Sequence, residues 1–284
     1  MSEVSLLPDD SPSLSRGLFR RIVDWYRPTV GYLFAIDSHV YAMSIAASVL
    51  LGFFPFLVLI LSVSRNVLEW PGAEAAIYVG LRGFLPEDPG LVGFVERNVR
   101  FAVLSRGRVE AVSIVLLIFS ANGVFMPLEV ALNRLWRFPG DRSYWRNQLM
   151  SFSLTFLCGA AAVGSAQLAA LNLERLQGWF PQADQALAAG LKLAEISALI
   201  LVFTLIYWRL PNGPAPLRRV IPTAIFAAAA VETGQLVYAT IWPLLDLRGA
   251  YGPFFISITL LLWGFFSAMI VLAGAEMCSR PARI

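Results

Sequence analysis

Charge is scarce in this 284-residue chain. Asp, Glu, Lys and Arg make up 14% of it, and of its 22 basic residues all but Lys192 are arginine. A soluble domain carries about 25% charged residues, so an ordinary water-facing surface is excluded. One histidine, His39, and two cysteines, Cys158 and Cys278, offer no disulfide framework and no zinc spacing. Metal-dependent hydrolysis needs clustered His and carboxylate ligands around a water, and the chain has no such set. The G-x-x-x-x-G-K-[ST] phosphate loop is also missing, which removes ATP as a direct energy source. No cofactor and no enzymatic activity are expected.

What fills the chain is apolar: 57% hydrophobic residues and a mean hydropathy of +0.66. The stretch from Ala250 to Ala275 carries no charge at all. A helix of about 20 apolar residues crosses the hydrocarbon core, so this stretch reads as a membrane span. Six such stretches occur, near His39–Ser64, Val109–Val130, Gln148–Leu171, Leu191–Trp208, Val220–Leu245 and Ala250–Glu276. The predicted fold is an all-α polytopic membrane protein with six transmembrane helices, an N-terminal amphipathic helix and a short extracytoplasmic helical segment.

Residues 1–13 are polar and proline-containing, without the basic-then-apolar order of a signal peptide, and read as a disordered cytoplasmic tail. Residues 14–284 read as one membrane domain. Between Leu14 and Tyr26, Leu14, Leu18, Ile22 and Trp25 share one face and Arg16, Arg20 and Asp24 the other. That pattern suits either the lipid interface or the end of the bundle, with Pro28 expected to close the helix. Residues 65–108 read as two helical pieces lying on the membrane, with Asp88-Pro89 as a helix start.

Each polar residue inside lipid needs a partner or a cavity. Glu232 is expected near the middle of span five, with Gln235 and Tyr238 continuing a stripe at three-residue spacing. It either lines a cavity, with Asn122 and Gln167 as polar neighbours, or fastens span five to another helix. A permanent ion pair is not expected, because the apolar cores of the other spans hold no basic residue. In span two, Asn122, Met126, Glu129, Asn133 and Trp136 fall on one helical face. That face is expected to point into the bundle. Gly52 with Pro55, and Gly123 with Pro127, mark kinks or hinges, because a proline leaves the carbonyl four residues earlier without its donor. Lys192 and Glu195, three residues apart, are expected to pair. Glu276 is expected to pair with Arg134 or Arg137 at the end of spans two and six. Small residues at Gly264, Ala268 and Ala275 read as a packing seam, and His39 as structural or interfacial.

The run Ser120-Ala-Asn-Gly-Val-Phe-Met-Pro-Leu-Glu-Val-Ala-Leu-Asn-Arg-Leu-Trp136 resembles the signature of the YihY/virulence factor BrkB family. Tyr251-Gly252, Leu261-Leu-Trp263 and Gly274-Ala-Glu276 resemble that family's last span, and Leu210-Pro211-Asn212 its fourth loop. Pro127 and Thr223 depart from the usual pattern. The resemblance covers roughly residues 35–278 and implies a bacterial inner-membrane protein. A former ribonuclease label in the family finds no support in these residues. With the stripes and kinks above, the leading expectation is a transporter or flippase-like protein for an amphiphilic envelope molecule. A non-transporting scaffold or assembly partner is the rival. The expected partners are membrane lipids and such a substrate, not nucleic acid; the oligomeric state is left open.

Orientation follows from the basic residues. With both termini in the cytoplasm, 13 of them fall inside and 9 outside, and the short loops carry the bias. In an Asp88→Cys variant, a membrane-impermeant thiol reagent added to intact cells should label position 88. Labelling only after permeabilisation would invert the orientation.

Overall fold

The computed structural model describes residues 24–66, 93, 97, 108–138, 143–176, 184–241 and 244–280. The tail at 1–13, most of the predicted N-terminal amphipathic helix and nearly all of the predicted 65–108 segment lie outside these residues. Within them every regular element is helical. Helix α1 covers residues 24–33. It is followed by α2 (Ile36–Asn66), α3 (Arg108–Trp136), α4 (Tyr144–Leu176), α5 (Asp184–Arg209) and α6 (Leu217–Ile241). A short α7 (Leu247–Tyr251) and a single 3-10 turn (Gly252–Phe254) lead into α8 (Phe255–Ser279).

Each of the six apolar stretches is a long helix. Among the described residues, four are long and apolar enough to cross a membrane, over Ile36–Leu59, Ala111–Trp136, Leu217–Tyr238 and Phe255–Ser279. These belong to α2, α3, α6 and α8. Helices α4 and α5 are of similar length, at 33 and 26 residues. The first opens with Tyr-Trp-Arg-Asn-Gln, and the second holds Lys192, Glu195 and Arg209.

One expectation changes. Pro28 does not close the first helix: α1 runs through it and turns only at Phe34 and Ala35. Pro55 and Pro127 sit inside α2 and α3. A proline removes one helical hydrogen bond, and packing on both sides offsets that loss. Pro55 is buried.

The core lies where α3, α5, α6 and α8 meet, around Leu132, Tyr207, Leu210, Ala227, Ala228 and Leu272. Tyr207 is fully buried and donates its hydroxyl to the Val271 carbonyl at 2.9 Å. Its ring fits because Gly274 leaves room; a Cβ there would meet the Tyr207 hydroxyl. The seam predicted on α8 is real. Gly264 sits on the Ala46 backbone of α2, where a Cβ would stand 3.2 Å from the Ala46 Cα, and Ala268 and Ala275 are buried.

The closest helix pair is α2 with α3, and its crossing is reciprocal. A Cβ at Gly123 would meet Ser48, and a Cβ at Gly52 would meet Ser120. Each helix thus lends a glycine to the other's serine. Both glycines singled out as hinges stand at this crossing. Gly123→Ala should therefore destabilise the protein by about 1–3 kcal/mol, as overpacking does, read as a lower melting temperature in detergent. Adding Ser48→Gly should recover most of that loss. A Gly123→Ala variant as stable as the parent would show that the helices can move apart freely.

Candidate functional site

The end of the bundle where α3 stops and α4 starts, here the lower end, holds most of the polar side chains. Helix α3 is closed by a left-handed residue: Arg137 has φ 55°. The Phe138 N–H reaches back to the Asn133 carbonyl at 3.0 Å and the Arg137 N–H to Arg134 at 3.2 Å. This is the paired closure by which helices commonly end, usually with glycine at the left-handed position. It swings Phe138 under Trp136, with ring centroids 5.7 Å apart and planes at 4°. Phe138 in turn packs on Gly213 so tightly that no Cβ would fit there.

The loop 210–216 is thereby fixed. The Asn133 side-chain oxygen accepts the Asn212 backbone N–H at 2.8 Å, Leu210 and Ala215 are buried, and three prolines stiffen it. Between this loop and the facing helices opens a cavity of about 430 Å³. Arg146, Leu149, Met150 and Ser153 of α4 line one side, Trp208 and Arg209 of α5 another, and residues 211–215 the floor. Two guanidinium groups are among the described side chains that line it.

On the same turns of α4, the contact with α3 is a polar seam. Asn122 donates its side-chain amide to the Gln148 carbonyl oxygen. Glu129 and Ser151 are buried, at 5% and 0% exposure. The Gln148 amide nitrogen, the Asn147 carbonyl oxygen and the Ser151 hydroxyl are buried without a hydrogen-bond partner among the described residues. Leaving such a group unmatched costs about 1–3 kcal/mol, so the seam is built for polar contents. The predicted face of α3 therefore does turn inward at Asn122, Glu129 and Asn133, toward α4 and the loop. Met126, on its edge, is 40% exposed.

Glu232 departs most from expectation. Helix α6 ends at Ile241, two residues before Pro243, and its apolar part ends at Tyr238. Glu232 thus sits toward the upper end, about 9 Å short of Tyr238 at ~1.5 Å per residue. It is also ion-paired: the Lys192 ammonium lies 2.7 Å from Glu232 and 3.1 Å from Glu195. The predicted Lys192–Glu195 pair is present, and the same cation reaches across to α6. Asn122 is occupied with Gln148 instead, and the Gln167 side chain lies outside the described residues. Gln235 is half-buried. Tyr238 packs on Trp263 of α8 at 5.1 Å. Three-residue steps lag about 60° each on a 3.6-residue helix, so this stripe starts facing α5 and ends facing α8.

The sequence profile of the family described as Virulence factor BrkB matches residues 35–280. The chain belongs to that family. It is 29% identical over 235 residues to a UPF0761 membrane protein of Acinetobacter baylyi, covering 78% of this chain and 52% of the relative. It is 26% identical over 244 residues to one from Alteromonas mediterranea, covering 81% and 78%. A third, from Azotobacter vinelandii, is 25% identical over 253 residues, covering 85% and 59%. The chain thus spans about half the length of the first relative. No solved structure matches it. In this BrkB-family chain the signature run 120–136 supplies the α2 crossing, one wall of the polar seam and the anchor of the 210–216 loop. Sequence reasoning missed Arg146 and Arg209 as site residues, treating them only as orientation charges.

The partner of Glu276 also differs. Neither Arg134 nor Arg137 reaches it: Arg134 bridges to Asp37 at 3.0 Å, and Arg137 forms the end of α3. Glu276 instead takes Arg280, one turn on, with Nε to Oε1 at 2.9 Å and Nη2 to Oε2 at 2.5 Å. The Thr29 hydroxyl adds a bond to Oε2 at 2.8 Å. Arg280 also donates to the Trp25 carbonyl and to Thr29. The pair so ties α1 to the end of α8. The four-residue spacing was the available signal. A double-mutant cycle in detergent melting should give Glu276→Gln with Arg280→Gln a coupling of about 1.5–3 kcal/mol, the worth of a charge-assisted hydrogen bond. Glu276→Gln with Arg134→Gln should be additive. Coupling in the second cycle and none in the first would refute the assignment.

Proposed function

We propose that this chain is a six-span inner-membrane protein, both termini cytoplasmic, that handles an amphiphilic envelope molecule as a transporter or flippase-like protein without enzymatic turnover. In this reading α4 and α5 cross the membrane together with α2, α3, α6 and α8. The observation that carries it is the two-arginine cavity beside the polar α3–α4 seam. A cavity of this size falls in the range of small-molecule sites. The seam beside it offers a polar headgroup the contacts that hydrocarbon cannot. No nucleotide motif supplies energy, so movement would run on a gradient or down the substrate's own.

One observation favours the rival reading, a non-transporting scaffold: the Lys192–Glu232 pair ties α5 to α6. The two readings part in reconstituted vesicles. Transbilayer movement of a fluorescent phospholipid should be faster with the protein than in empty vesicles. Ser151→Leu, which closes the seam with an apolar side chain, should slow it at least tenfold, a barrier rise of about 1.4 kcal/mol, while membrane insertion is unchanged. Wild-type protein no faster than empty vesicles would favour the scaffold.

A further inference from the structure

We propose that α3 and α4 form a lateral groove that takes the uncharged, hydroxyl-bearing headgroup of a membrane lipid, held by Asn147, Gln148 and Ser151. The proposal rests on the amphiphile reading above and deepens it by naming the headgroup's chemistry and the depth at which it is held. Its first ground is the pattern of donors and acceptors. The Asn147 side-chain oxygen, the Gln148 amide nitrogen and the Ser151 hydroxyl are buried, and none has a hydrogen-bond partner among the described residues. Ser151 is fully buried. At ~100° per residue the three share about 100° of the α4 surface, so they can serve one occupant. Asn147 needs a donor there, Gln148 an acceptor, and Ser151 can take either. A phosphate only accepts and an ammonium only donates, so each would leave one of them unmatched. A hydroxyl does both. Two neighbouring hydroxyls of a glycerol or a sugar would satisfy the set.

The second ground is where the groove lies. Asn122 of α3 donates to the Gln148 oxygen across the contact, which puts these two side chains at one level. Asn122 is near the middle of the apolar stretch Ala111–Trp136, the depth at which membrane transporters build their substrate sites. On α3 the polar stripe has buried Ala121, Phe125 and Leu132 on one side and exposed Phe119, Met126 and Val130 on the other. Helix α4 repeats the order. Buried Leu154 lies to one side of Asn147 and Ser151, and exposed Leu149, Phe152 and Phe156 lie beyond Gln148. The groove therefore follows the boundary between the core and the lipid-facing surface, with the Asn122–Gln148 bond as its rim. That bond joins two uncharged amides, and an incoming hydroxyl can replace either partner. A lipid arriving from the side would bring its headgroup between the helices and leave its chains against the apolar side chains outside. A soluble sugar has no such route to the middle of the membrane.

The test is a titration of the purified full chain, in a detergent without hydroxyl groups, with monoglucosyl diacylglycerol and, separately, phosphatidylcholine. Bound lipids are counted by native mass spectrometry. The glucosyl lipid should bind more tightly. Ser151→Ala and Asn147→Leu should each weaken it about fivefold, the worth of one neutral hydrogen bond, and leave phosphatidylcholine unaffected. Without lipid, Ser151→Ala should melt no lower than the parent, because it deletes an unmatched polar group rather than a bond. Thr240→Ala, which removes an exposed hydroxyl near the end of α6, is the control and should not change lipid binding. Glucosyl-lipid binding that neither seam variant weakens would overturn the site, and so would equal weakening by Thr240→Ala. Displacement by excess free glucose would overturn the lipid assignment in favour of a soluble polyol. Equal binding of the two lipids, with transbilayer movement intact, would sink this proposal alone and leave the seam to water. Selective binding without any movement would uphold the groove and remove the transport reading.

Discussion

The α2–α3 crossing is the contact on which the arrangement of the other helices depends. Lipid gives helices no hydrophobic reason to associate, so close backbone approach through small residues does the work. Ser48 on Gly123 and Gly52 on Ser120 bring the two helices together at two points, and two points fix rotation as well as distance. On α3, the face holding Ser120 and Gly123 turns to α2. Asn122, Glu129 and Asn133 lie about a third to two-fifths of a turn from the middle of that face at ~100° per residue. Once the small face is seated, these polar groups can only look toward α4 and the loop. The crossing thereby sets where the polar seam runs.

Two kinds of electrostatic contact divide the molecule. The ties Lys192–Glu232 and Arg280–Glu276 are satisfied: each charge has its counter-charge within 3 Å. They join α5 to α6 and α1 to α8. The cavity is different in kind: the side chains of Arg146, Ser153 and Arg209 line it between two helix ends and a loop.

The helices were legible because apolar length alone decides them. The inward face of α3 was legible because Glu129 and Asn133 cannot face hydrocarbon. Depth was harder. Glu232 was placed by counting from an assumed end at Leu245, whereas α6 ends at Ile241, which moves the carboxylate upward. Its partner was hidden for a related reason. Lys192 was matched to the neighbour on its own helix, yet a lysine stem is long enough to serve a second helix as well. Glu276 was matched by depth when a partner four residues on was nearer. In each case local spacing outranked, or was supplemented by, a reach that only the packed helices reveal. The cavity was least legible of all, since its walls come from two helix ends and a loop far apart in sequence.

That loop shows how the signature residues and the cavity belong together. Asn133 carries no charge and is not among the residues that line the cavity, yet its side-chain oxygen holds the Asn212 N–H. Phe138, thrown under Trp136 by the left-handed Arg137, fills the place where Gly213 has no side chain. Arg219 lies over the other ring of the same stack, 6.0 Å from Trp136. A left-handed arginine costs about 1–2 kcal/mol relative to the ordinary helical region. The return on that strain is a loop held in one conformation, with its floor presented to Arg146 and Arg209. The end of α3 is thus a positioning device. Its polar residues act on the cavity through the backbone of the next turn of chain, so their effect on binding comes through geometry rather than contact.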